Sequence, residues 1–240
     1  FLKNKMLRDK KILAVIPARG GSKGVKNKNL RLVGNQPLIY WSIKEALKVT
    51  YIDELIVSTD NREIADVSEE IGAKVLMRPP RLADDKTPMI DTLKYLLGQL
   101  SDLKKSFDIL VLLQPTAPMR TFDDIDSAIK KFVMNPKSES LVSIYKVEDC
   151  HPSRMYSIKD NALKKIMDEP SGSLRQDLDH IYHRNGAIYI CNTKLLVEEN
   201  KLISENSDFF IMNKEVSINI DSEQDLAIAD FLMRERLLDK

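Results

Sequence analysis

Short apolar runs alternate with amphipathic stretches through most of the chain. Residues 12–16 form an uninterrupted run rich in β-branched side chains, the pattern of a strand buried on both faces. Residues 38–49 instead carry Leu38, Ile39, Ile43, Ala46 and Leu47 at helical spacing, and Pro37 suits the first turn. Residues 55–57 predict a second strand. It runs into Ser58-Thr59-Asp60-Asn61, a cluster of helix-capping side chains, ahead of a helix marked by Ile64, Ala65, Val67 and Ile71. Residues 74–77, 109–113 and 141–145 read as further strands, and 89–100 and 125–133 as helices. Strand and helix in alternation predict an α/β fold, a mostly parallel central sheet with helices on both faces. Ligands of such sheets sit beyond the carboxyl ends of the strands, here after Ile16, Val57, Met77 and Leu113.

The rhythm breaks over 149–185. His151-Pro152, Asn161 and Pro170-Ser171-Gly172-Ser173, with isolated apolar residues between them, predict a hairpin and loops inserted as a small lobe. Afterwards 187–191 and 216–220 read as strands, and 193–199 and 226–238 as helices. The expected organisation is one domain over 7–240 carrying this lobe, preceded by a short tail over 1–6.

Composition narrows the function classes. With 37 basic against 36 acidic residues, the chain lacks the basic surplus of a general nucleic-acid binder. No apolar run approaches the ~20 residues of a membrane span, and 1–11 is polar and basic with no apolar signal core behind it. Cys150 and Cys191 stand far apart without a C-x-x-C spacing, as expected of two reduced thiols. A cytoplasmic location, with no nucleic-acid or membrane partner, is the expectation; Phe1 in place of methionine leaves the native start open.

The richest chemistry follows the first strand: Pro17-Ala18-Arg19-Gly20-Gly21-Ser22-Lys23-Gly24-Val25-Lys26-Asn27-Lys28-Asn29. Three glycines allow close backbone approach and positive φ, and successive N–H groups in such a turn form an anion-binding concavity. Arg19, Lys23, Lys26 and Lys28 add cations with no acid among them. A triphosphate suits this loop; a solvated basic turn is the competing reading. Neither the P-loop pattern nor the dinucleotide fingerprint is present.

Ile16-Pro17-Ala18-Arg19-Gly20-Gly21-Ser22-Lys23-Gly24 with Lys28-Asn29 resembles the signature of the acylneuraminate cytidylyltransferases, the CMP-sialic acid synthetases. The likeness continues through Leu113-Gln114-Pro115-Thr116-Ala117-Pro118-Met119-Arg120, Asn185-Gly186-Ala187-Ile188-Tyr189-Ile190 and Ile218-Asn219-Ile220-Asp221. It implies a Rossmann-like nucleotidyltransferase fold whose inserted lobe serves a homodimer. It also implies CTP and a nine-carbon acidic sugar as substrates, with a CMP-sugar and pyrophosphate as products. By the same resemblance Arg19, Gly20, Gly21, Ser22, Lys23, Asn29 and Arg78 bind the nucleotide, with Arg19, Lys28 and Asp221 catalytic. Gln114, Arg175, His183, Arg184 and Asn185 face the sugar. His183 stands where the family usually has an arginine, so either His183 or Arg184 supplies that contact. The family's paired aspartates, which hold Mg2+, become Asn219 and Asp221 here, with Asp225 as a helper or a helix-start charge. Arg120 reads as a helix-start residue. The same chemistry on legionaminic, pseudaminic or keto-deoxy-octulosonic acid stays open, as does a nucleotide-binding relative without catalysis, which the neutral Asn219 keeps in view.

Overall fold

Each residue of the first strand is buried, with Ile12, Ala14 and Ile16 facing one apolar layer and Leu13 and Val15 the other. The alternation places that strand inside a two-faced sheet. The computed structural model describes residues 7, 9–148, 150–168 and 178–238. In chain order, β1 (Ile12–Pro17) leads to a small hairpin of β2 (Leu32–Val33) and β3 (Gln36–Pro37). Then come α1 (Leu38–Leu47), β4 (Glu54–Thr59), α2 (Arg62–Ile71), β5 (Lys74–Met77), α3 (Met89–Asp102), β6 (Ile109–Leu113), α4 (Phe122–Met134) and β7 (Ser140–Lys146). A second hairpin, β8 (Tyr156–Lys159) and β9 (Ala162–Lys165), precedes β10 (Tyr182–Asn192), α5 (Thr193–Glu198), β11 (Ser207–Ile211) and α6 (Glu223–Leu238).

Among the described residues the main sheet has the order β11-β7-β10-β6-β1-β4-β5. β4, β1, β6 and β5 run parallel, as do β7 and β11, while β10 is antiparallel to both its neighbours. The fold is therefore α/β and mostly parallel. Helices α1, α2 and α4 cover one face through Ile39, Ile43, Ile64, Ile125, Ile129 and Phe132; α3 and α5 cover the other through Leu93, Leu96, Leu100, Leu195 and Leu196. A third cluster seats α6 on Trp41, Val33 and Val25. Local chemistry sets the helix ends. Asn61 caps α2 by accepting the Ile64 N–H, Gly72 closes it at φ 108°, and a Thr121–Asp124 capping box starts α4.

One expectation is corrected, and one strand stands where none was expected. Residues 216–220 are not a strand: Val216 ends a 3-10 turn, and beyond it the Ile220 N–H bonds Thr116 O at 2.9 Å without a ladder. Ile220 packs into the α6 cluster instead, which is why apolar alternation appears there. The edge strand is β11, where Phe209 and Ile211 are exposed and only Phe210 and Met212 turn inward, too short an alternation to stand out. No helix among the described residues is long and apolar enough to cross a membrane.

Candidate active site

The strand ends that the sheet rule singles out converge. The loop after β1 lies between the end of β4 and the segment 219–221. Proximity accounts for two of its glycines: a Cβ at Gly24 would strike the backbone oxygen of Asp221 and one at Gly20 would press on the Asn61 side chain, while none of Gly20, Gly21 and Gly24 has positive φ. That corrects the expectation of left-handed glycines in this loop. The left-handed residue is Asn27, at φ 53°, which opens the 3-10 turn that presents Lys28 and Asn29.

Lys28 is 9% exposed. Its Nζ donates to Ile220 O at 2.5 Å and to Asp221 Oδ1 at 3.3 Å, tying the loop to the 219–221 segment. Asn29 donates through Nδ2 to Arg19 O at 3.0 Å, which leaves its Oδ1 buried without a partner. Gly20 N–H donates to Asp60 Oδ1 at 3.0 Å. Arg78 leaves β5 to a buried position where Nε lacks a partner. Burial lowers its pKa below the ordinary value; Asp60 opposes that shift and Arg19 adds to it. Arg19 and Lys23 both reach Asp85, at 2.5 and 2.7 Å. Gly21 has open space around it, and Ser22 is half-buried.

Asp221 is 71% exposed as a side chain, with Oδ1 near Lys28 and Oδ2 accepting from Asn219 Nδ2 at 2.5 Å. Asn219 Oδ1 is buried and unpartnered. Asp225 accepts from the N–H groups of Asp221 and Ser222 and from the Ser222 hydroxyl. These bonds, the hydroxyl's first, hold its pKa low, so it starts α6 as a capping charge. A cation would find one exposed carboxylate, that of Asp221, and one unpartnered amide oxygen, that of Asn219. Among the described residues no group of three His, Cys, Asp or Glu could enclose a metal. That donor set fits a hard ion such as Mg2+, which is commonly held by one or two carboxylates and completed by substrate phosphates.

The other end of the site is a bulge in β10. The pairing of β10 with β7 shifts register between Arg184 and Tyr189, and Gly186 sits there at φ 74°. A Cβ on Gly186 would lie 3.5 Å from Gln114 Oε1 and 4.0 Å from Asn219 Oδ1, so both side chains border this glycine. Asn185 is buried, accepting from the Ser143 hydroxyl and the Ala187 N–H and donating to Ser217 Oγ. Its amide holds the bulge and is not presented as an open ligand. His183 and Arg184 belong to β10 itself and point to opposite faces. His183 lies edge-on to Tyr145, with ring centroids 5.5 Å apart, and Arg184 lies over the Tyr189 ring at 5.8 Å. Arg175 lies outside the described residues.

Arg120 is more than a helix-start residue. It is 1% exposed; Nη1 donates to Gln114 O and Ala187 O, and Nη2 to Ser42 Oγ. Burial lowers its pKa to about 10, with Asp124 and Glu45 opposing. It ties β6, β10 and α1 together beside Gln114. Asp60, Asp85 and Arg120 are the polar groups that reading the sequence missed. The only advance signal was the pair of acids in Leu82-Ala83-Asp84-Asp85 and the capping cluster ending β4.

The profile of the cytidylyltransferase family matches residues 13–228. The chain is 37% identical over 231 residues to the CMP-N,N'-diacetyllegionaminic acid synthase of Legionella pneumophila, which covers 93% of this chain and 96% of that one. It is 32% identical over 235 residues to an N-acylneuraminate cytidylyltransferase of Escherichia coli, covering 94% of this chain; it spans about half of that relative's length, 53%. The solved CMP:2-keto-3-deoxy-manno-octonic acid synthetase complexed with CTP superposes with a TM-score of 0.73 at 19% identity, over 94% of this chain and 99% of that one, a likeness of fold. By the reach of the family profile and by the Legionella relative, 37% identical and covered over 96% of its length, the chain belongs to the cytidylyltransferase family.

Proposed function

We propose that the chain uses CTP to activate an acidic nine-carbon sugar of the sialic acid type, giving a CMP-sugar and pyrophosphate. The observation that carries this reading is the set of hydrogen bonds that ties Asn29 to Arg19 and Lys28 through Asp221 to Asn219, which lies with Gln114 beside Gly186. It joins a cationic loop, suited to phosphates, to a neutral polar end suited to a sugar. In the reaction the anomeric oxygen of the sugar attacks the α-phosphorus in line, the bond to the β-phosphate breaks, and pyrophosphate departs. Arg19, Ser22 and Lys23 hold the phosphates, and Lys28 stabilises charge at the transferred group. Asn29 and Arg78, both buried with an unpartnered polar atom, contact the nucleoside and its phosphates.

Mg2+ held by Asp221 and Asn219 would neutralise phosphate charge. Gln114 contacts the sugar. Arg184 is its stronger companion over His183, because Arg184 covers Tyr189, whose sheet partner Leu112 lies two residues before Gln114. The higher identity to the legionaminic acid relative, 37% against 32%, puts that sugar first in any panel. Pyrophosphate release from CTP and Mg2+ with N-acetylneuraminic, legionaminic, pseudaminic and keto-deoxy-octulosonic acids tests the reading; no release with any of them sinks it. A second reading, a binding protein without turnover, draws on the uncharged Asn219 against Asp221. CTP binding with no pyrophosphate would select it.

The protein acts as a homodimer in the cytoplasm. The β8–β9 hairpin supports the dimer: Ile158 and Leu163 are 75% and 70% exposed and flanked by exposed Met155, Tyr156 and Ile166, more apolar surface than a solvated hairpin needs. Sedimentation should give a dimer that Ile158→Glu converts to monomer. Cys150 and Cys191, both unpaired, suit a reducing compartment.

A further inference from the structure

The loop after β1 already holds carboxylates at the groups that the proposed function gives to phosphates. Asp85 sets one oxygen 2.5 Å from Arg19 Nη2 and the other 2.7 Å from Lys23 Nζ, so its two oxygens divide between the two cations. Asp60, from the end of β4, accepts the N–H of Gly20 in the same loop. Side chains and a backbone amide are thus engaged by acids brought from two different strand ends. Asp85 stays ionised through the neutral range: the hydrogen bond from Lys23 holds its pKa below the ordinary carboxylate value, and the same contact raises that of Lys23. None of the three is locked away. The Lys23 side chain is 83% exposed, Arg19 33% and Asp85 29%, so the pairs can exchange for a ligand's.

We propose that Asp85 is a resident anion which an incoming polyphosphate displaces from Arg19 and Lys23, and that it thereby sets how tightly pyrophosphate is held. The inference rests on the triphosphate reading of the loop. An intact nucleotide carries several phosphate charges and is also held through its base and ribose, so it outcompetes a single carboxylate. Once the bond between the α- and β-phosphates breaks, pyrophosphate keeps only its grip on the cations. Return of Asp85 to Arg19 and Lys23 then favours its departure. The carboxylate weakens substrate binding somewhat and speeds product release.

Calorimetric titration of inorganic pyrophosphate and of CTP, with Mg2+, into the full chain and its Asp85→Asn and Asp85→Glu variants tests this. Partly exposed ion pairs of this kind should give Asp85→Asn about fivefold tighter pyrophosphate binding. Its inhibition constant for pyrophosphate should fall by the same factor. Asp85→Glu, which keeps the charge, should stay within about twofold of the parent. Unchanged or weaker pyrophosphate binding by a folded Asp85→Asn protein overturns the proposal, because Asp85 would then be neutral or a scaffold for the loop. So does an Asp85→Glu variant that behaves like Asp85→Asn. If the parent itself binds neither CTP nor pyrophosphate, the proposed function falls and takes this inference with it, a result distinct from a parent that binds and a variant that does not differ.

Discussion

The two ends of the candidate site are built differently. At the loop after β1, Lys23 and Arg19 are partly exposed and paired with a carboxylate that another anion can replace. At the β10 bulge the polar groups are buried and mostly committed to one another: Asn185 bonds both Ser143 and Ser217 beside Gly186, and Arg120 clamps Gln114 O to Ala187 O, with Arg120 Nε and Asn219 Oδ1 left unpartnered. Polyphosphate is recognised by charge, which is strong, non-directional and open to exchange. A sugar's hydroxyls and carboxylate demand fixed donors and acceptors, and a buried hydrogen-bonded network supplies that rigidity. The first end can be altered with little harm to the fold, whereas the second is part of the fold.

The sharpest way to break that contrast is at Arg120. Arg120→Met removes the donors to two buried carbonyls and to Ser42, a loss of about 3 kcal/mol, or roughly 8 °C in Tm for a chain of this length. Arg120→Lys, which keeps the charge but not the fork, should fall between. Lys23→Ala, at the other end, should melt with the parent. Similar melting for Arg120→Met and the parent would show that the bulge end is not welded to the fold.

Next in size is Asp221. Its carboxylate is 71% exposed and Lys28 keeps its bond to Ile220 O without it, so Asp221→Ala should cost roughly a hundredfold in turnover while shifting the circular dichroism melt little. Wild-type rates would remove it from the reaction. Arg19→Ala should raise KM for CTP about tenfold and move KM for the sugar acid little. Because this end works through partly exposed charge, KM for CTP should also climb with ionic strength, and KM for the sugar acid less steeply. Equal losses for both substrates would erase the division between the ends.

The strands were legible where burial on both faces writes an unbroken apolar run, as in β1 and β6. Legibility failed at the edge. β11 is half solvated, so its pattern is weak, while Val216, Ile218 and Ile220 mimic a strand because they face α6. The cationic loop stood out by density of glycine and lysine alone. Its partners did not, since the contacts of Gly20 with Asp60 and Lys28 with Asp221 span 40 and 193 residues and exist only once the sheet is assembled. Asn185 illustrates the same limit: the sequence marks it as polar beside a glycine, but only the bulge reveals that its amide is turned inward. Arg120 looked like the first residue of a helix, and its reach across to β10 and α1 is a tertiary fact.

The smallest effect reports on rigidity directly. Cys191 lies on β10 between Leu110 and Ser140 of the neighbouring strands, and burial pushes its thiol up to about 12, while Cys150 is exposed. A thiol-specific disulfide reagent at about pH 8 reacts through the thiolate, so Cys150 should react at once and Cys191 only as fast as the sheet opens. The sign with pH follows: the buried neutral thiol favours the native state below its ordinary value of 9.0, and that contribution is lost as pH climbs towards about 12. Raising the pH within the native range should therefore leave Cys191 slow. Arg120→Met should release Cys191, because it loosens the strand from inside, and Lys23→Ala should not. Prompt reaction of both thiols in the parent would mean that β10 opens on its own, and that the bulge end is as yielding as the cationic loop.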